Sequence, residues 1–137
     1  LSSSSAASDV YKRQEERFPS AQKTVISHSY GTLLATKAAH QHGLLVDDLW
    51  ILGSAGVSGE HVSELTLAGP EATVHVVDSP EDPILLLRSG PTAAIGSSPS
   101  YIGWGGERVL GVRGDHTDYF TDPAFLSALQ QRADPPA

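Results

Sequence analysis

The sequence predicts an α/β fold, a mainly parallel sheet flanked by helices, and two observations carry that expectation. Short apolar runs of strand length recur along the chain, and helical stretches alternate with them from residue 23 onward, the pattern of βα units. The composition, 39% hydrophobic and 18% charged residues over 137 positions, is that of one ordinary folded domain.

Each element has its own reason. Residues 23–28 (KTVISH) form a short β-branched run. Residues 31–42 follow at once with Leu34, Ala35, Ala38 and Ala39 at helical spacing, and Gly43 is suited to stop that helix in the left-handed conformation. Residues 48–53 (DLWILG) read as a buried strand, followed by a Ser/Gly-rich loop. Thr73–Val77 (TVHVV) is the third strand, with a DSPEDP turn at its end. Residues 84–88 fit a short helix or an extended piece. Residues 90–106 are rich in Gly, Pro and Ser and carry Tyr101 and Trp104; aromatic residues there either line a pocket or anchor the loop. Residues 107–113 (ERVLGVR) are the fourth predicted strand, followed by a Gly-Asp-His loop. Pro123–Ala133 is a final helix, with Asp122 as its N-cap, Pro123 at N1, and Phe125, Leu126 and Leu129 inward.

Bulk properties exclude several function classes. The formal net charge is −7, so no basic patch is expected and nucleic acid is a poor partner. No run of about 18 apolar residues predicts a membrane span. The absence of cysteine excludes disulfides, thiolate metal sites and a cysteine nucleophile. The first residues show neither the basic nor the apolar region of a signal peptide. No motif speaks to compartment or oligomeric state.

Residues 1–14 (LSSSSAASDVYKRQ) read as a Ser/Ala-rich leader with no packing face and resemble translated adaptor sequence. The chain also lacks methionine. The expectation is a non-native or disordered leader over 1–14, with 15–137 as the C-terminal part of a domain.

The chemistry concentrates in a strand, a tight turn Ser27-His28-Ser29-Tyr30-Gly31, then a helix. This is the layout of a nucleophile elbow, G-x-S-x-G, with Ser27 in place of the first glycine. Such a turn crowds the positions two before and two after the nucleophile, so small residues are expected at both. It also aims the helix N-terminus at the site, making the Tyr30 N–H an oxyanion donor. His28, the variable elbow residue, packs or shapes the pocket. The plainer alternative is a βα turn with an ordinary capping serine.

The downstream residues decide between the two. In the elbow-bearing hydrolases the order is nucleophile, acid, histidine. Here Ser29 is followed by a carboxylate in a turn after a strand, and then by His116 in a loop after a later strand. Both lie where a parallel sheet presents ligand-facing residues. Asp82 and Asp78 compete for the acid. Asp82 is preferred, because it lies further along the loop, whereas Asp78 directly follows the strand and suits turn capping. Asp115 adjoins His116 but is poorly placed to face its neighbour's ring. A dinucleotide-binding rival is disfavoured, since no G-x-G-x-x-G follows a strand.

These motifs resemble a family of α/β-hydrolases common in actinomycetes and long catalogued as a domain of unknown function. His28-Ser29-Tyr30-Gly31-Thr32 resembles its G-H-S-Y-G-[ST] elbow, with Ser27 departing from the family glycine. Residues 46–49 (VDDL) and 52–57 (LGSAGV) resemble its V-D-D-L strand and G-S-P-G loop, with Ala55 in place of the proline. Asp82-Pro83-Ile84 resembles its acid-bearing D-P-I, and His116-Thr117-Asp118-Tyr119-Phe120 its H-S-x-Y-F. The resemblance covers residues 23 to 130. It implies a partial α/β-hydrolase fold in which the strands before the elbow strand, and the loop that supplies a second oxyanion N–H, are missing. It implies a serine hydrolase fold but names no substrate; the residues themselves point to a Ser29–His116–Asp82 triad acting on a small-molecule, ester-type substrate, with no cofactor and no metal needed. Tyr101, Trp104 and Tyr119 are the aromatic candidates for the substrate pocket. The alternative is a non-catalytic, hydrolase-like module that binds a ligand or partner.

Overall fold

A computed structural model of the chain describes residues 3–88 and 96–134. The part of the predicted Gly/Pro/Ser-rich loop at 90–95 lies outside these residues. The element order is α1 (Ser3–Arg17), β1 (Thr24–His28), α2 (Gly31–Gln41), β2 (Asp48–Leu52), β3 (Thr73–Val77), β4 (Glu107–Val109) and α3 (Pro123–Ala133). The four strands form one sheet in the order β1-β2-β3-β4, every neighbouring pair parallel. The fold is therefore the α/β sheet flanked by helices that the alternating pattern predicts.

The strand period of two divides the sheet's side chains between two cores. Leu49, Ile51, Val74 and Val76 point to one face, where they pack with Ala35, Ala38 and Ala39 of α2 and with Trp104. Trp50, Leu52 and Val77 point to the other, where they meet Phe125 of α3, Val112 and Tyr119. β2 is buried along its whole length, as a central parallel strand covered on both faces must be.

α2 lies against the sheet through small residues, Thr32, Ala35, Thr36, Ala38 and Ala39. Leu34, an inward candidate by spacing, is 40% exposed; the buried stripe is turned slightly from the predicted one because threonines share it. Leu126 of α3 also faces outward, while Phe125 is buried. Gly43 ends α2 at φ 82, as expected, and Asp122 caps α3 by accepting from the Phe125 N–H at 2.9 Å.

Two elements depart from expectation. β4 is three residues long rather than seven, because Gly111 turns the chain at φ 84 and Leu110 points to solvent. Residues 3–17 form a helix, and it has a packing face where the sequence shows no apolar stripe. That face is built from small and aromatic residues instead of an aliphatic stripe. Ser4 and Ser8 are buried, the Ser8 hydroxyl donates to the Ala38 carbonyl at 3.3 Å, and Ala7 and Tyr11 pack on the α2 core.

At the N-terminal end of the strands, Asp48 is fully buried and heavily bonded. It accepts from Gln22 at 2.6 Å, Arg132 at 2.5 Å and His75 Nε2 at 2.9 Å. The Arg132 bond latches the end of α3 to the sheet. His75 in turn stacks on Trp50 with centroids 3.8 Å apart. Among the described residues no helix is long and apolar enough to cross a membrane.

Candidate active site

Three loops at the C-terminal ends of β1, β3 and β4 converge on one point. The first is the turn from β1 into α2. Ser29 stands there at φ 60, the one described residue other than glycine with positive φ. An L-residue enters this region at a cost of about 1–2 kcal/mol, so the surrounding structure has to impose it. The Ser29 N–H donates to the Leu52 carbonyl at 3.0 Å. The Thr32 hydroxyl donates to the Ser29 carbonyl at 2.7 Å and lies 2.6 Å from the Ser54 hydroxyl. Tyr30 is the N-cap of α2 and makes no side-chain cap bond.

The turn accommodates Ser27 for a specific reason: its hydroxyl turns sideways and donates to the Trp50 carbonyl of β2 at 2.7 Å. The predicted crowding at Gly31 is not found, since a Cβ there would meet nothing within 4 Å.

The second loop follows β3. Asp82 is buried, with its side chain fully covered. Its Oδ1 accepts from the Ile84 N–H at 2.9 Å. Asp78 goes elsewhere, into a buried ion pair with Arg88 at 2.8 Å.

The third loop follows β4 and carries His116, whose side chain is one quarter exposed. Its Nε2 lies 2.9 Å from the Ser29 hydroxyl and its Nδ1 lies 2.8 Å from Asp82 Oδ2. Ser29, His116 and Asp82, separated by tens of residues in sequence, therefore form one continuous line through both ring nitrogens. Because a carboxylate only accepts, the proton of neutral His116 belongs on Nδ1, which leaves the Nε2 lone pair toward Ser29. Asp115 stays out of this line; its carboxylate accepts from the His116 backbone N–H at 2.7 Å.

The remaining sequence candidates take distinct places. The His28 Nε2–H donates to the His116 carbonyl at 2.7 Å, and the two rings stack with centroids 4.6 Å apart. His28 also contacts the rings of Tyr119 and Phe120, so it steadies the His116 loop. Tyr30, next to Ser29, is 57% exposed. Tyr119 does not line an open pocket. It is buried, and its hydroxyl donates to Asp82 Oδ2 at 2.7 Å. Trp104 is buried and anchors its loop by donating to the Gly59 carbonyl at 3.1 Å. Tyr101 and Trp104 line a recess of about 460 Å³ with Glu60, Ser97 and Ser98, which Ser29 does not line.

Sequence reasoning missed two supports. Ser79 ties the acid loop to the histidine loop, its hydroxyl donating to the Gly114 carbonyl at 2.5 Å. Gly53, at φ 51, lets Asp82 and Tyr119 come close: a Cβ there would stand 2.6 Å from the Tyr119 ring and 2.8 Å from Asp82 Oδ2. A glycine directly after a fully buried strand is the signal that pointed to such a close approach.

A family model described as alpha/beta hydrolase matches residues 5–89. Comparison with curated proteins and with solved structures finds no match. The family match takes in β1, the Ser29 turn, α2, β2, β3 and the Asp82 loop, more than half of the chain, and with the parallel sheet it leads to one conclusion: the chain belongs to the alpha/beta hydrolase family.

Proposed function

We propose that the chain is a serine hydrolase that cleaves a carboxylic ester or a related acyl bond, with Ser29 as nucleophile, His116 as general base and acid, and Asp82 as the carboxylate that orients His116. The observation that carries this reading is the hydrogen-bonded line from Ser29 through both nitrogens of His116 to Asp82, at 2.9 and 2.8 Å. Buried at one end and partly exposed at the other, it has the layout of an activated serine.

The chemistry follows from the tautomer. With its proton on Nδ1, His116 takes the Ser29 hydroxyl proton at Nε2 as Oγ bonds to the substrate carbonyl carbon. The imidazolium so formed is stabilised by Asp82. Its Nε2 proton then passes to the leaving alkoxide, which departs as the alcohol and leaves an acyl-Ser29 ester. Water repeats the sequence: His116 takes its proton, the hydroxyl adds to the acyl carbon, and Ser29 leaves with the proton returned. The Tyr30 N–H, at the start of α2, is the donor this reading assigns to the developing oxyanion, assisted by the positive end of the helix.

The test is labelling by a fluorophosphonate, which reacts only with an activated serine, read by mass spectrometry of the Ser29 peptide, together with hydrolysis of a short-chain nitrophenyl ester. Labelling at Ser29 that is lost in S29A and suppressed in H116A supports the reading. An unlabelled, folded wild-type chain overturns it in favour of a non-catalytic binding module.

A further inference from the structure

We propose that Tyr119 is a positioning residue for this reaction, a phenol that holds the Asp82 carboxylate and sets how strongly it supports the His116 imidazolium. The inference rests on the hydrolase reading above and adds a fourth member to its line.

Three observations carry it. The Tyr119 hydroxyl donates to Asp82 Oδ2 at 2.7 Å, and that same oxygen receives the His116 Nδ1–H at 2.8 Å. One carboxylate oxygen is thus shared between two donors, and what one draws from it the other loses. The phenol is itself fixed: it accepts from the Ser79 N–H at 3.1 Å, and Ser79 is fully buried. The ring is held from the other side by Gly53, where a methyl group would overlap both Tyr119 and Asp82.

The chemistry of the phenol suits this place. Burial, and then the neighbouring Asp82 carboxylate, push its ionisation well above the ordinary tyrosine range, against the opposing pull of the Ser79 N–H. It therefore stays protonated at working pH. With the Ser79 N–H occupying an oxygen lone pair, its own proton is left for Asp82. A carboxylate that accepts from Tyr119, His116 and the Ile84 N–H is held in one rotamer, with Oδ2 aimed at the ring.

Removing the hydroxyl has two separable effects. Asp82 gains freedom to turn, which lowers turnover by about tenfold, since small misplacements of a reacting array are expensive. Oδ2 also keeps more of its negative charge for His116, which favours the imidazolium. The acid limb of the kcat/KM profile accordingly moves to higher pH in Y119F, by about 0.5–1 unit. A role confined to packing would lower stability without moving that limb.

The experiment follows the His116 ring resonances by NMR through a pH titration, beside the pH profile of ester hydrolysis, in the full chain. Three proteins are compared: wild type, Y119F, and a chain with 3-fluorotyrosine placed at position 119. The fluorinated phenol is the stronger donor and keeps the hydroxyl, so it retains the fold even if Y119F does not. The expected result is a His116 midpoint that rises in Y119F and falls with 3-fluorotyrosine, with the acid limb following. A midpoint that stays unchanged in the folded fluorotyrosine chain overturns the proposal. The two readings fail separately. An active wild type with an unmoved midpoint removes only Tyr119's role. An inert, unlabelled wild type whose midpoint still moves removes the hydrolase reading and leaves the Tyr119–Asp82–His116 coupling in place.

Discussion

His28 and His116 stack ring on ring, with centroids 4.6 Å apart, while the His28 Nε2–H donates to the His116 carbonyl at 2.7 Å. One residue of the Ser29 turn therefore fixes both the backbone and the ring plane of the residue that faces the Ser29 hydroxyl. H28A removes both contacts and leaves the His116 loop held by its own turns and by its bonds to the loop after β3. Turnover is expected to fall about tenfold to a hundredfold, through a lower kcat at similar KM. H28Q retains a donor that reaches the carbonyl and recovers part of the loss. Steady-state kinetics on a nitrophenyl ester check this; equal defects in H28A and H28Q would mean that the hydrogen bond contributes nothing.

The two carboxylates after β3 separate cleanly. D82N keeps the shape of the site but presents an amide N–H or a weaker acceptor to Nδ1, favouring the wrong imidazole tautomer; turnover is expected to drop by about 10⁴ with little change in fold. D78N acts on stability instead. Its partner Arg88 is buried, with side-chain exposures of 5% and 7% in the pair, and an unpaired buried guanidinium costs about 3 kcal/mol. Urea midpoints and kcat measured on both variants give opposite rankings on the two scales. A large kcat loss in D78N at full stability would show that the acid has been misassigned.

Ser29 supplies a test of strain independent of activity. Its φ of 60 is costly for any side-chain-bearing residue and free for glycine. S29G and S29A both remove the hydroxyl, but only S29G relieves the backbone. S29G is therefore expected to be about 1 kcal/mol more stable than S29A, by thermal or urea unfolding, while neither is labelled by a fluorophosphonate. Equal stabilities would place the strain elsewhere.

The convergence of Ser29, Asp82 and His116 was legible in the sequence because each follows the C-terminal end of a strand, and parallel pairing carries all those ends to one side. The orientation of Tyr119 was not. It lies three residues beyond His116 in a loop, and whether its ring turns in or out depends on the space left by Gly53, a contact between residues 66 positions apart. α1 was hidden for another reason. Its packing face is made of Ser4, Ala7, Ser8 and Tyr11, and hydroxyl-bearing small residues leave no hydrophobic periodicity to read. β4 was overestimated because apolar residues continue past Val109, while Gly111 ends the pairing.

The Asp48 cluster predicts how the fold responds to acid. Burial by itself raises the pKa of this carboxyl, but hydrogen bonds from His75, Arg132 and Gln22, with the charge of Arg132, overcome that and hold it below the ordinary value of 3.8. A group whose folded pKa lies below its unfolded pKa binds more protons when unfolded. Its contribution to stability is complete above the unfolded value and drains away as pH falls through the folded one. Wild-type stability is thus expected to hold its Asp48 share down to about pH 4 and lose it below. D48N is expected to be less stable than wild type by about 2 kcal/mol at pH 7, since Arg132, His75 and Gln22 lose a charged acceptor, and the gap should narrow as the pH approaches 3. Urea unfolding of both proteins between pH 3 and 7 checks the sign. A gap that widens on acidification would mean that the Asp48 carboxyl is protonated in the native fold, and that Arg132 is held to the sheet by something other than its charge.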